Sequence, residues 1–197
     1  TPSYIFNTPG TDENPTATAG KEELSYPDIT LLNAGDIMYH NTQLKSAYNS
    51  STGKYDFSND FKYMQPIVSA ADYAVVNFET TTANQNKYEA YPTFNSPLET
   101  LTSIKETGYD MLLFANNHCY DNKKAGFLAT LNQFKNYGFE YIGAKTSEED
   151  KSYVVKDING IKLGMMNYTD TITQPTSKYY TINGISINDG CDKLMDI

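Results

Sequence analysis

Apolar residues follow two alternating patterns along the chain from residue 28 onward. Short apolar runs predict strands at 28–35, 72–80, 109–115 and 139–144. Between them, apolar side chains recur at helical spacing over 58–70, 96–108 and about 121–137, and Pro66 is expected to start or kink the first of these helices. Strands that alternate with helices imply right-handed crossovers and a mainly parallel sheet. The sequence therefore predicts an α/β fold.

Two of the predicted helices carry signals at their ends. Ser96 and Glu99 have the spacing of a capping box at the start of the second helix, and Gly108 follows its last turn. Asp121 is expected to cap the third helix, which Gly138 would end.

The two ends of the chain differ from this repeating part. Residues 1–27 mix Pro, Thr, Gly, Asn and acids without a period, which predicts a flexible linker of the kind that follows an export signal or a membrane anchor. Residues 28–197 are interpreted as one domain. Within it, 152–169 form two β runs about Asn159-Gly160, a hairpin signal, and 188–197 look like the opening of a helix. We expect more protein to follow in the natural gene product.

Charge and cysteine content narrow the range of partners. Lys and Arg total 15 against 24 Asp and Glu, a formal net charge of -9, which argues against nucleic acid as a partner. The sequence has no apolar run long enough to span a bilayer. Two cysteines, Cys119 and Cys191, could form a disulfide or remain thiols, and their spacing does not decide between these.

Polar side chains follow three of the predicted strands, where the loops of a parallel sheet gather at one edge and ligands bind. The metal-binding candidates are Asp36, His40, Asn77, Glu79, Asn116, Asn117, His118 and Asp121. Carboxylate, amide and imidazole ligands suit Mn, Fe, Zn or Mg, and in two-metal hydrolases a shared carboxylate, here Asp36 or Glu79, bridges the ions.

Each candidate also has a purely structural interpretation. Asp36 could cap a turn, Glu79 could be a solvated charge at a strand end, and the two asparagines are ordinary loop residues. His118, which follows an apolar run and is flanked by amides, is the hardest to explain structurally. Cys119 is interpreted as an idle or buried thiol, because no activating base can be identified in the sequence.

Three segments together resemble a known family. They are "GDIMYH" at 35–40, "ADYAVVNFETT" at 71–81 with a following "FNSP", and "GYDMLLFANNHCYDNKKAGFLATLNQFKNYGFEYIGA" at 108–144. In order and spacing they are similar to the CapA capsule-synthesis proteins of poly-γ-glutamate-producing bacteria, over about residues 28–170.

That family in turn resembles calcineurin-like metallophosphoesterases. The resemblance implies an αββα sandwich, of which this chain would hold the N-terminal part. It also implies that Asp36 is the first metal-binding Asp, that Glu79 is the bridging acid, and that Asn117 and His118 contact metal and substrate phosphate, with His118 as the acid for a leaving oxygen. His40 and Asp121 match less securely. The later histidine segments of the family are missing, which implies weak metal affinity for this chain alone.

Three functions remain open at this stage. The first is a CapA-like role in synthesis or export of an anionic capsule polymer at the extracellular face of the membrane, with a divalent metal. The second is a general metal-dependent hydrolase of phosphomonoesters or phosphodiesters. The third is a non-catalytic polymer-binding or assembly component, whose loops are inherited scaffold.

Overall fold

Residues 28–83, 85–147 and 149–173 are described by the structure, a computed structural model. The strands are β1 Leu31–Ile37, β2 Tyr48–Asn49, β3 Lys54–Tyr55, β4 Tyr73–Phe78, β5 Met111–Leu113, β6 Glu140–Ile142, β7 Tyr153–Ile158 and β8 Ile161–Met166. The helices are α1 Asn41–Ala47, α2 Ser58–Phe61, α3 Gln65–Val68, α4 Glu99–Thr107 and α5 Lys123–Asn136. The predicted 1–27 linker and the 188–197 helix lie outside the described residues.

The central sheet has four parallel strands in the order β1-β4-β5-β6. This sheet confirms the predicted α/β class, and its parallel strands are consistent with a metallophosphoesterase-like fold. Because the strand order follows the chain order, successive crossovers move in one direction across the sheet and place the loops after β1, β4 and β5 side by side.

The two faces of the sheet are covered differently, as the alternation of side chains along β4 requires. Ala74, Val76 and Phe78 join the core that α4 and α5 cover. The other face, with Tyr73 and Val75, packs against the β7-β8 hairpin.

An aromatic cluster fills the helical side of the sheet beneath the loops. Phe78, Phe114, Phe127 and Phe134 are fully buried, and the rings of Phe114 and Phe134 meet edge to face with centroids 5.0 Å apart. Edge-to-face pairs add stability beyond the area that they bury. This packing fixes the ends of β4 and β5, from which the site loops leave.

Both predicted N-terminal caps are wrong, whereas the predicted C-terminal glycines are confirmed: Gly108 ends α4 and Gly138 follows the end of α5, each with a positive φ. Helix α4 begins at Glu99 after Leu98, and the Ser96 hydroxyl lies 2.9 Å from the Thr80 hydroxyl. Helix α5 begins at Lys123 after Asn122, and the Asp121 carboxylate bonds elsewhere, as described below. In both cases a tertiary partner takes the side chain that local spacing had assigned to a helix end.

The predicted 58–70 helix is two short helices, α2 and α3, separated by a turn. Pro66 lies in the first turn of α3, where its missing N–H has no helical partner to lose. The predicted hairpin is confirmed: Asn159 and Gly160 both have positive φ angles, 51° and 86°, as a two-residue turn of this kind requires.

Candidate functional site

A bulge in β1 sets the position of Asp36. The pairing of β1 with β4 is regular up to Ala34, shifts at Gly35, and resumes with Asp36 beside Asn77. The extra residue places Asp36 next to the last residues of β4, where Glu79 follows. Bulges of this kind re-aim side chains near active sites.

Two carboxylates meet at this point and share one amide donor. Asn77 Nδ2 donates to Asp36 Oδ1 at 2.7 Å and to Glu79 Oε2 at 3.1 Å. Asn116 Nδ2 in turn donates to Asn77 Oδ1 at 3.0 Å and to the Phe78 carbonyl at 2.9 Å. The two asparagines therefore hold the acids from β1 and β4 against the loop that follows β5.

The electrostatics of the pair are unfavourable to two full negative charges. Burial raises the pKa of Glu79, and the charge and hydrogen bonding of Asp36 raise it further, whereas His118 and Asn77 act in the opposite direction. Like charges held together and partly removed from water disfavour the ionised form. A cation between the two carboxylates would relieve this repulsion.

His118 is anchored on its Nδ1 side. Nδ1 lies 2.8 Å from Asp121 Oδ2, and both residues are buried, with exposures of 5% each. Asp121 also accepts hydrogen bonds from the Phe94 amide, at 2.7 Å, and from the Thr173 hydroxyl. Because Asp121 accepts every one of these bonds, the Nδ1 atom carries a proton and Nε2 is the nitrogen left for a metal or a substrate.

His40 and His118 both contact the ring of Phe94. The ring centroid of Phe94 is 4.7 Å from that of His118 and 5.3 Å from that of His40, edge to face in both cases. The ring of the exposed Tyr91 lies 6.4 Å from that of His40 and 6.5 Å from that of Phe94, between centroids. The ligand role of His40 stays a prediction, since its ring belongs to an aromatic rim and makes no described contact with Asp36 or Glu79.

The structure brings together part of the predicted set. Asp36, Asn77, Glu79 and Asn116 form one hydrogen-bonded group, and His118 lies within electrostatic range of Glu79. Asn117 is half-buried and its carbonyl accepts a hydrogen bond from the Thr173 amide, so its role toward metal or substrate stays a prediction.

Phe94 and Thr173 were missed at the sequence level. Both act on Asp121 from distant parts of the chain, one through a backbone amide and one through a hydroxyl. Neither residue type carries a chemical signal, and only "FNSP" in the family resemblance pointed to the segment that contains Phe94.

In the ranges 28–83, 85–147 and 149–173, no three or more His, Cys, Asp or Glu side chains come together as a group that could hold a metal ion. The carboxylate pair is therefore an incomplete cation site within the described residues. Among the described residues, amide oxygens and the imidazole of His118, whose charge acts on Glu79, are the candidate additional ligands.

Cys119 is a free, buried thiol, and burial raises its pKa to about 12. At neutral pH the thiol is protonated and therefore a poor nucleophile. In a Cys191→Ser background, we expect a thiol reagent such as dithionitrobenzoate to label the native protein at least about 100-fold more slowly than the unfolded protein. Equal rates in buffer and in guanidinium would contradict this description of Cys119.

Comparison with known proteins agrees with the family resemblance of the three segments at 35–40, 71–81 and 108–144. The sequence model of the bacterial capsule synthesis protein PGA_cap family matches residues 30–189. The chain belongs to this family. The match includes every strand of the central sheet and all of the residues gathered at its edge.

Two curated relatives extend the comparison. The chain is 28% identical over 148 residues to the capsule biosynthesis protein CapA of Bacillus anthracis, covering 72% of this chain and 35% of that protein. It is 29% identical over 115 residues to the PGA biosynthesis protein CapA of Bacillus subtilis (strain 168), covering 56% of this chain and 30% of that protein. The chain thus matches about a third of the length of these relatives.

Among the described residues, no helix is both long and apolar enough to cross a membrane.

Proposed function

We propose that this PGA_cap family member acts in the synthesis or export of a capsule polymer of the poly-γ-glutamate type, using a divalent metal held at the Asp36–Glu79 pair. The proposal of a metal site rests on one observation: the carboxylates of Asp36 and Glu79 both accept a hydrogen bond from the side-chain amide of Asn77. The polymer is inferred from the family and from the relatives' names.

The donor chemistry fits a hard or borderline divalent cation. Asp36 and Glu79 supply carboxylate oxygens, which suit Mn, Fe, Zn or Mg. When bound, such an ion would polarise an oxygen of the substrate and lower the pKa of a coordinated water. A complete coordination shell needs donors beyond this pair, and His118, whose charge lowers the pKa of Glu79, is a candidate.

The His118–Asp121 pair favours a proton-transfer or ligand role for the imidazole. Metal-binding histidines usually donate their second N–H to a carboxylate, which fixes the tautomer and the ring orientation. Here Asp121 is the accepting carboxylate, with its Oδ2 atom 2.8 Å from His118 Nδ1. In its protonated form, His118 can donate from Nε2 to a leaving oxygen, and in its neutral form the same atom can accept a proton or bind a cation.

The same site residues would also serve a general metal-dependent phosphoester hydrolase. This alternative function therefore differs from the capsule function in its substrate and uses the same residues. For the capsule function we propose an anionic polymer and its synthesis machinery, at the extracellular face of the cell membrane, as the working environment. The net charge of -9 argues against a broad electrostatic attraction to a polyanion, so binding of the polymer would depend on local contacts at the site.

Titration calorimetry with MnCl₂, followed by turnover of bis(p-nitrophenyl) phosphate, tests the proposal. We expect saturable Mn²⁺ binding by the chain, and less turnover in His118→Ala than in the unchanged protein if the site is hydrolytic. Absence of saturable binding with Mn²⁺, Zn²⁺ and Mg²⁺ would overturn the metal assignment. Binding and turnover that are both unchanged in His118→Ala would remove His118 from the site.

A further inference from the structure

The segment that follows β8 contacts the loop after β5 at two separate points. At the start of the loop, the Ala115 amide donates to Asn167 Oδ1 at 2.6 Å, and Asn167 Nδ2 donates to the Ala115 carbonyl at 3.3 Å. Two residues further along the loop, the Thr173 amide donates to the Asn117 carbonyl at 2.8 Å. The segment after the hairpin is therefore attached directly to the loop that carries His118.

Thr173 makes one more contact, through its side chain. Its hydroxyl donates to Asp121 Oδ1, while the other carboxylate oxygen, Oδ2, lies 2.8 Å from His118 Nδ1 and 2.7 Å from the Phe94 amide nitrogen. The Asp121 side chain has no exposed surface. Both oxygens of this buried carboxylate therefore take their hydrogen bonds from protein groups, and Thr173 supplies the bond to Oδ1.

The orientation of the Asp121 carboxylate decides how it acts on the imidazole. A carboxylate rotates readily about its terminal bond, and its two oxygens are equivalent acceptors. Donors on both oxygens oppose this rotation, so Oδ2 stays within reach of His118 Nδ1 and the tautomer with the proton on Nδ1 is favoured. Without the Thr173 hydroxyl, a charged and buried oxygen would lose its partner. The cost of leaving such an atom unpaired is enough to turn the carboxylate or to shift the loop.

We propose that Thr173 is a positioning residue for His118, and that by fixing Asp121 it keeps the His118 Nε2 atom unprotonated and available to a metal or a substrate. The use of Nε2 in catalysis rests on the function proposed above, whereas the positioning itself needs no bound metal. Thr173 is 52 residues from Asp121 in the chain. The segment after the hairpin thus contributes to a site that is otherwise built at the ends of the parallel strands.

Nitrogen NMR of the imidazole rings tests the proposal directly, because the chain has only two histidines, His40 and His118. The signal that disappears in His118→Ala assigns the rings. In metal-free buffer at about pH 9, where imidazoles are neutral, His118 should have a protonated Nδ1 and an unprotonated Nε2. In Thr173→Val, whose side chain keeps its shape without the hydroxyl, His118 should show a mixture of both tautomers. The same single tautomer in Thr173→Val as in the unchanged protein would overturn the proposal.

Three further variants separate the hydroxyl from a general effect on the segment. Thr173→Ser keeps the hydroxyl and should keep the tautomer, so a mixture in this variant would contradict the proposal. Thr171→Val makes the same substitution at an exposed position two residues earlier and should leave both rings unchanged. A mixture there as well would overturn the assignment to the Thr173 hydroxyl. Asp121→Asn alters the acceptor itself and should give the largest change.

Turnover of bis(p-nitrophenyl) phosphate in the presence of MnCl₂ measures the consequence for the proposed reaction. We expect kcat to fall about tenfold in Thr173→Val with KM little changed, and to recover in Thr173→Ser. A kcat in Thr173→Val equal to that of the unchanged protein would overturn the catalytic consequence. If the unchanged protein shows no turnover, the proposed hydrolytic function fails, and the NMR comparison still decides the role of Thr173.

Discussion

Glu79→Gln is expected to lower the affinity of the chain for Mn²⁺ by more than about 100-fold, the upper end of what loss of an outer hydrogen-bond partner costs a metal site. The substitution keeps the shape of the side chain and an oxygen that can accept from Asn77, whose Nδ2 atom now lies 3.1 Å from Glu79 Oε2. What it removes is a charge. Titration calorimetry on the unchanged and variant proteins measures the effect.

Although Glu79→Gln should bind Mn²⁺ more weakly, the metal-free variant should be at least as stable to unfolding as the unchanged protein. Because Glu79 has a pKa raised by burial and by Asp36, its ionised form is disfavoured in the folded protein, and a neutral side chain removes that cost. The metal-free variant should therefore unfold at a temperature no lower than the unchanged protein. Glu106→Gln, the same change at an exposed position of α4, is the control and should leave both quantities as they are. Wild-type Mn²⁺ affinity in Glu79→Gln would exclude Glu79 as a ligand.

Gly143→Ala is expected to destabilise the fold by about 3 kcal/mol or more, since it combines overpacking, an unfavourable backbone angle and a disturbed buried hydrogen bond. Gly143 follows β6 with a φ of 94°. An added Cβ would lie 2.5 Å from the Ala115 amide nitrogen and would clash with Asn167 Oδ1. That Asn167 oxygen accepts the Ala115 amide at 2.6 Å, which ties the end of the hairpin to the start of the Asn116–His118 loop. Denaturant unfolding measures the loss.

Gly164→Ala separates this steric effect from the general effect of replacing glycine. Gly164 lies in β8, and a Cβ there would meet no heavy atom within 4 Å. Its effect on the free energy of unfolding should stay within about 0.5 kcal/mol. Equal stabilities for the two alanine variants would mean that the contact between Asn167 and Ala115 does not depend on the space left at Gly143.

Much of the sheet was predictable from local signals. The four strands follow from apolar runs, and their parallel order follows from the helices between them. The hairpin follows from Asn159-Gly160, where the backbone angles demand such residues. The short β2 and β3 strands were not predicted, because two residues are too few to show a period.

The N-terminal helix caps and the hydrogen-bond network of the site were less predictable from the sequence, for one physical reason. Ser96 and Asp121 have side chains that suit helix caps, but their hydrogen bonds go to partners distant in sequence, Thr80 and Phe94. Sequence spacing cannot rank a hydrogen-bond partner in the adjacent helix turn against one that is distant in sequence. Similarly, the sequence singled out Asn77 and Asn116 as possible ligands, and the structure shows them as amides that orient acids and backbone.

The double attachment of Asp121 couples two parts of the chain that sequence separates. One carboxylate oxygen, Oδ2, holds the His118 ring and the Phe94 main chain at once. A shift of the 91–95 segment therefore turns the imidazole, even where no side chain of that segment touches a ligand. Insertions beside Phe94 should therefore be tolerated less well than insertions in most loops, because they would displace both the amide that holds Asp121 and the buried ring that packs on His118.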